Sequence, residues 1–131
     1  MEVYDPNKAI DPEQWLALDE QTRIDLVTEF HDLGGLYDEL IEEEGGSPVL
    51  HSTIHTIVEN QLAMEVKYIP ETMAKLLRQG LDRHEAIHAI GAIITEDIFA
   101  ILQGEKHEPS PSKNRRRLEK LTAKRWLKGQ Y

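Results

Sequence analysis

The sequence contains no cysteine among its 131 residues. This absence excludes disulfide bonds, thiolate metal ligands and a cysteine nucleophile, and it is consistent with a reducing compartment. No apolar run approaches the roughly 20 residues that a membrane-spanning helix needs. The first ten residues, MEVYDPNKAI, contain no apolar signal-peptide core. We therefore expect a cytoplasmic protein of bacterial type that does not enter a membrane.

Alternation of apolar and polar side chains, which is typical of half-buried strands, is also missing. Apolar residues recur instead at helical spacing. The sequence therefore predicts an all-α fold, a single-domain helical bundle of about five or six helices. Helix starts are indicated by capping residues and prolines. They fall at Asp11-Pro12, Asp19, Ser47-Pro48, Pro70 and Asp82.

The glycines and prolines also predict where these helices end. A helix from Asp19 is expected to end at Gly34-Gly35, and LYDELIEEE is a further short helix before Gly45-Gly46. The next helices are predicted over 48–66, 70–79 and 82–103, with Gly80 and Gly104 just past the last two. The segment HEPSPSKN is predicted to be a linker, and RRRLEKLTAKRWLK a last, basic helix.

Charge is distributed unevenly along the chain, whose net charge is −9. Residues 1–50 have a net charge of −12, residues 51–104 of −3 and residues 105–131 of +6. We divide the predicted domain accordingly into acidic N-terminal helices (1–46), a histidine-bearing helical core (47–104) and a basic linker and helix (105–131). The basic segment is expected to lie against acidic helices of its own chain or of a second copy, as in a homo-oligomer. It contains one internal aromatic residue and no nucleic-acid motif, so nucleic acid is not an expected partner.

Two segments of the histidine-bearing core repeat one pattern. HSTIHTIV (51–58) and HEAIHAIG (84–91) both read H-x-x-I-H-x-I, and they are 33 residues apart. At about 100° per residue, each histidine pair lies on one shoulder of its helix. The adjacent core arc contains Ile54, Ile57, Val58, Gln61 and Leu62 in the first helix. In the second helix it contains Ile87, Ile90, Ile94, Ile98 and Ile101.

Four histidines on two helices suggest a shared metal site. Neutral imidazole binds zinc, copper, nickel and iron, and an i, i+4 pair presents two nitrogens on one helix face. A carboxylate near each pair can add a ligand or orient a histidine. The predicted site residues are His51, His55, His84 and His88, with Glu59 as the first carboxylate partner and Glu85 as the second. Zinc is the favoured ion, with iron, nickel and copper as alternatives.

The stretch HEAIH also fits the zinc-protease motif H-E-x-x-H. Such enzymes need a third protein ligand, and the longer form of the motif places a histidine where this chain has Ile94. Glu85 has a simpler explanation as well, because it lies three residues after the predicted cap Asp82, in the position of a capping-box acid. A small zinc hydrolase is therefore only an alternative.

The segments WLALDEQTRIDLVTEFH, HSTIHTIVENQLA and LDRHEAIHAIG resemble a family of small, uncharacterised bacterial helical proteins with paired HxxxH helices. The resemblance covers about residues 11–103. It implies that the four motif histidines and the acid at Glu59 recur in the family. The position of Glu85 is not always acidic there, which weakens the protease interpretation. The family has no assigned activity, so the resemblance predicts none.

The sequence thus leads to a metal-binding helical protein with an inter-helix, histidine-rich transition-metal site and an unassigned activity. The pattern does not decide whether that site is structural, sensory or catalytic. The second hypothesis is a metal-free interaction module that uses its acidic body and basic tail to bind a partner. The third is the small zinc hydrolase.

Overall fold

The computed structural model describes residues 1, 3–34, 48–102 and 111–130. These residues form seven α-helices and no strand, which confirms the predicted all-α class. In chain order the helices are α1 (Pro12–Ala17), α2 (Glu20–Gly34), α3 (Pro48–Ala63), α4 (Ile69–Arg78), α5 (Arg83–Leu102), α6 (Pro111–Lys120) and α7 (Ala123–Leu127). None of the described helices combines the length and apolar character that crossing a membrane requires.

The chain divides into two compact units, Met1–Met64 and Glu65–Tyr131. The first unit contains α1, α2 and α3, and both α1 and α2 pack on α3. Its core consists of Tyr4, Trp15, Leu26 and Val27. The predicted start of α2 is confirmed, since Asp19 Oδ1 accepts a 2.7 Å hydrogen bond from the backbone N–H of Thr22. This bond caps the helix at its N-terminus.

Hydrogen bonds between polar side chains connect α1 and α2 to α3. Trp15 is fully buried, and its indole Nε1 donates to Asn60 Oδ1 at 2.8 Å. The same oxygen accepts a 3.1 Å hydrogen bond from Arg23 Nη1. One amide oxygen on α3 therefore satisfies a buried indole of α1 and a guanidinium of α2.

The second unit contains α4 to α7, in which α4 packs on α5 and both pack on α6. Its buried apolar residues include Leu76, Ile87, Ile90, Ile93, Ile94, Leu118 and Leu121. The turn between α4 and α5 follows the prediction for Gly80, which has φ +102°. The N–H of Gly80 bonds to the carbonyl of Leu77, and that of Leu81 to the carbonyl of Leu76. This is the Schellman pattern, in which glycine readily adopts the left-handed backbone.

The C-terminal prediction was wrong in two respects. The residues Pro111 to Asn114, which were assigned to the linker, belong to α6. The single predicted basic helix is two helices, because α6 ends at Lys120 and α7 begins at Ala123. Thr122 marks this break: its hydroxyl accepts a 3.1 Å hydrogen bond from the backbone N–H of Arg125 and so caps α7.

The long helix α3 ends at Ala63, three residues before the predicted end at 66. The chain then has left-handed backbone at Glu65, with φ 52°, and at Tyr68, with φ 74°. No glycine or proline precedes this turn closely enough to mark it in the sequence. The predicted short helix LYDELIEEE and Gly104 lie outside the described residues.

Candidate metal centre

One face of α3 is polar and buried, contrary to the predicted core arc. His51, His55 and Glu59 follow at four-residue intervals, and all three are buried. Ser52 and Thr56 on the same side are buried as well. Of the predicted arc, Val58 is fully buried, whereas Ile54, Ile57, Gln61 and Leu62 are only partly buried. The side of α3 that carries the histidines is therefore buried, and its polar side chains need hydrogen-bond partners.

Tyr4 is such a partner. The Tyr4 side chain is 1% exposed, and its phenol donates to Glu59 Oε2 at 2.5 Å. The same phenol oxygen lies 2.9 Å from Nδ1 of His55. The tyrosine ring also meets the imidazole of His55 edge-on, with centroids 5.5 Å apart and the planes at 87°. Tyr4 thus connects the carboxylate and the imidazole of α3 through one hydroxyl group.

The second histidine pair lies in the first turns of α5. His84 and His88 are both half-buried, and their rings meet edge to face with centroids 4.5 Å apart. The predicted cap before them is confirmed, because Asp82 Oδ1 accepts a 2.7 Å hydrogen bond from the backbone N–H of Glu85. The capped helix start therefore fixes the backbone on which the pair is placed.

The carboxylate of Glu85 is used within the second unit. Its Oε1 accepts a 2.8 Å hydrogen bond from the indole Nε1 of Trp126, on α7. Ile94, which occupies the third-histidine position of the longer protease motif, is buried among apolar residues. Within HEAIH, Glu85 thus contributes the backbone N–H that Asp82 caps and a side-chain contact with α7, in addition to the two histidines.

The two histidine pairs supply candidate metal ligands in both compact units. The Nε2 atoms of His55 on α3 and of His84 and His88 on α5 are shielded from solvent. An arrangement of three imidazole nitrogens is a ligand set that zinc and other transition metals accept.

The other predicted ligands are placed differently. His51 is buried on α3 with its ring 6.0 Å from that of His55, centroid to centroid, at 50°. Glu59 bonds to Tyr4, and Glu85 bonds to Trp126. The side chains of His31 and His107 lie outside the described residues.

Sequence reasoning missed Tyr4. It lies 51 residues before His55, in a segment that contains no helix and no repeated motif. Its one visible signal is a large aromatic residue within an otherwise polar and acidic N-terminal stretch. The bond between Glu85 and Trp126 was also missed.

Comparisons with protein-family models, with curated proteins and with solved structures find no match to this chain. The chemistry of the site therefore has to be argued from the residues themselves.

Proposed function

We propose that this protein binds a transition-metal ion through His55, His84 and His88. The observation that supports this most directly is the pairing of histidines on each helix: the ring centroids of His84 and His88 lie 4.5 Å apart on α5, and those of His51 and His55 lie 6.0 Å apart on α3. Burial of the three Nε2 atoms adds support, because ligands shielded from water lose less to competing solvent. We take zinc as the proposed ion, and an all-nitrogen donor set suits iron, nickel and copper as well.

Nitrogens bound to one tetrahedral zinc ion lie about 3.3 Å apart, given a Zn–N distance of about 2.0–2.1 Å. Three histidines fill three of the four positions. His51 is the nearest further imidazole on α3 and can supply the fourth, in which case the site is closed and structural, sensory or storage-related.

The other possibility is that the fourth position takes a water molecule or a substrate. A zinc ion with three protein ligands lowers the pKa of a bound water to near neutrality, which is the chemistry of hydrolytic sites. In that case His51 has a supporting role on the buried face of α3. The number of histidines that metal binding requires therefore distinguishes a closed site, which is structural, sensory or storage-related, from an open hydrolytic site.

The experiment is elemental mass spectrometry on tag-free protein, with single alanine variants of the four histidines. We expect about one equivalent of metal in the wild type and its loss in His55→Ala, His84→Ala and His88→Ala. Retention in His51→Ala indicates the three-histidine site, and loss there indicates four ligands. A wild type that stays metal-free after reconstitution with zinc, and separately with copper, nickel and iron, overturns the proposal.

A second candidate function is the interaction module. It is supported by the charge of the two compact units: residues 1–64 contain 15 acidic and 2 basic residues, and residues 65–131 contain 9 acidic and 13 basic ones. Exposed basic residues occur on α6, on α7 and just after α7: Arg116, Lys120, Lys124, Arg125 and Lys128. Opposite charges on two units of one chain favour association between copies, which salt weakens.

Sedimentation at about 0.05 M and about 0.5 M salt tests this candidate. Association at low salt that dissociates at high salt, with no effect of chelator, supports the module. If the protein is a monomer at both salt concentrations, the interaction-module hypothesis is contradicted. The zinc-hydrolase alternative has less support, because Glu85 is bonded to Trp126 and Ile94 is buried where a third ligand is needed.

A further inference from the structure

The contact between Tyr4 and α3 determines more than packing. The phenol oxygen of Tyr4 touches two groups at once, Glu59 Oε2 at 2.5 Å and His55 Nδ1 at 2.9 Å. All three side chains are buried, with exposed fractions of 1% to 2%. Water therefore has little access to replace either contact.

The number of protons limits how these contacts can be made. A phenol has one O–H, and here it donates to the carboxylate of Glu59. Its oxygen can then only accept in the contact with His55, so the proton of that bond must lie on Nδ1. In a neutral imidazole with Nδ1 protonated, the lone pair is on Nε2.

We infer that Tyr4 and Glu59 are positioning residues that hold His55 in the Nδ1–H tautomer and thereby assign Nε2 as its metal-binding atom. The metal-binding part of this inference rests on the proposed function, whereas the tautomer does not. The chain Glu59–Tyr4–His55 is the relation of carboxylate to histidine known from metal sites, with a phenol inserted between the two. Glu59 thus acts through Tyr4 and does not bind the metal itself.

The arrangement has a consequence for affinity. A neutral histidine in solution exchanges between two tautomers and many ring orientations, and only some present Nε2 to an ion. The hydrogen bond at Nδ1 and the edge-on ring of Tyr4 restrict both before any metal arrives. Loss of such a supporting hydrogen bond typically weakens metal binding about 10- to 100-fold.

The tautomer is tested on the metal-free full-length protein. Long-range proton–nitrogen correlation spectra of protein labelled with ¹⁵N-histidine, recorded at a pH of about 8 where histidine is ordinarily neutral, report which ring nitrogen bears the proton. We expect Nδ1–H at His55 in the wild type. Protonation at Nε2 overturns the inference, whether or not the protein binds metal.

Two substitutions at Glu59 separate positioning from packing. Glu59→Gln retains a carbonyl oxygen that can accept from the phenol, so we expect the Nδ1–H tautomer to persist. Glu59→Leu removes the acceptor and leaves the phenol free to donate to Nδ1. His55 should then change to the Nε2–H tautomer. A purely structural role for Glu59 predicts the same tautomer in both variants, and that result contradicts the inference.

Zinc affinity, measured by competition with a chromophoric chelator, tests the consequence. Tyr4→Phe keeps the ring contacts with Trp15 and Phe30 but removes the hydroxyl, and we expect it to bind zinc about 10- to 100-fold more weakly. Tyr68→Phe is the matched control, since the Tyr68 ring lies beneath Arg115 in the second unit, and it should bind like wild type.

An equal affinity for Tyr4→Phe and wild type overturns the positioning role. If the wild type binds no zinc at all, the proposed function fails, while the spectra still decide the tautomer of His55. The two failures are therefore distinguishable.

Discussion

The indole Nε1 of Trp126 donates a 2.8 Å hydrogen bond to Oε1 of Glu85. Glu85 is the glutamate of HEAIH, and in a zinc protease that position polarises the attacking water. In this chain the carboxylate instead connects the first turn of α5 to α7. Since α7 has only five residues, it depends on tertiary contacts such as this one.

Glu85→Ala should therefore loosen α7 without removing a metal ligand. The variant leaves the partly buried indole N–H without its carboxylate acceptor, and we expect a loss of about 1 kcal/mol in unfolding free energy. Glu85→Gln keeps an acceptor oxygen and should lose less. Urea unfolding and Trp126-dependent fluorescence measure the effect. Peptide hydrolysis by the wild type that disappears in Glu85→Gln, with metal retained, would contradict this assignment.

The cap of α5 supplies a second test. Asp82 Oδ1 bonds to the N–H of Glu85, whereas Asp11, which precedes α1 in the same kind of sequence, makes no side-chain cap bond. We expect Asp82→Ala to lower the unfolding free energy by about 1 kcal/mol, the usual effect of losing an N-cap. Asp11→Ala is the matched control and should change it less. Equal losses in urea unfolding would show that the hydrogen bond is not the cause.

Lys75 joins α4 to the end of α6. Its Nζ donates to the backbone carbonyls of Leu118 and Glu119, at 2.9 Å and 3.2 Å. These carbonyls lie in the last turn of α6, where a cation is favoured. Lys75→Met keeps the apolar stem but loses both bonds, and we expect it to destabilise the protein by about 1 kcal/mol. Lys124→Met, at an exposed position, is the control for loss of one positive charge.

Lys75 should also make the free energy of unfolding depend on pH in the alkaline range. Desolvation lowers the pKa of Lys75 below its ordinary value of 10.5, although Glu119 opposes the shift. Between the folded and unfolded pKa values the unfolded chain binds more protons, so this group makes stability rise with pH in that window. Lys75→Met should lack this contribution. Urea unfolding of both proteins between about pH 8 and about pH 10.5 measures it, and equal slopes would contradict the assignment.

Local chemistry explains which parts of the fold the sequence predicted. Asp82, Pro70 and Gly80 act on backbone within a few residues, so their effects can be recognised from neighbouring positions alone. Thr122 acts in the same way, but it was overlooked within a run of basic residues and the break between α6 and α7 was missed.

The buried face of α3 could not be predicted by the same means. The apolar arc of a helix predicts its buried face only when the polar side chains have no distant hydrogen-bond partners. Here Tyr4 is such a partner for Glu59, and Trp15 is one for Asn60. The partner residues are 45 and 55 positions away. Histidine spacing, by contrast, depends on helix geometry alone, and it correctly indicated that His51 and His55, and likewise His84 and His88, are neighbours on one helix face.

Thermal unfolding with and without chelator provides the last test, since an ion bound only to the folded protein stabilises it by mass action. Free zinc at about 100 times its dissociation constant should add about 2.7 kcal/mol, and excess chelator should remove this gain. His88→Ala should melt at the same temperature in both conditions, because it lacks one of the three proposed ligands. His51→Ala should keep the chelator effect if three histidines suffice. A wild type that zinc does not stabilise, in protein freed of metal beforehand, would contradict the metal site and leave the charge-divided interaction module as the better account.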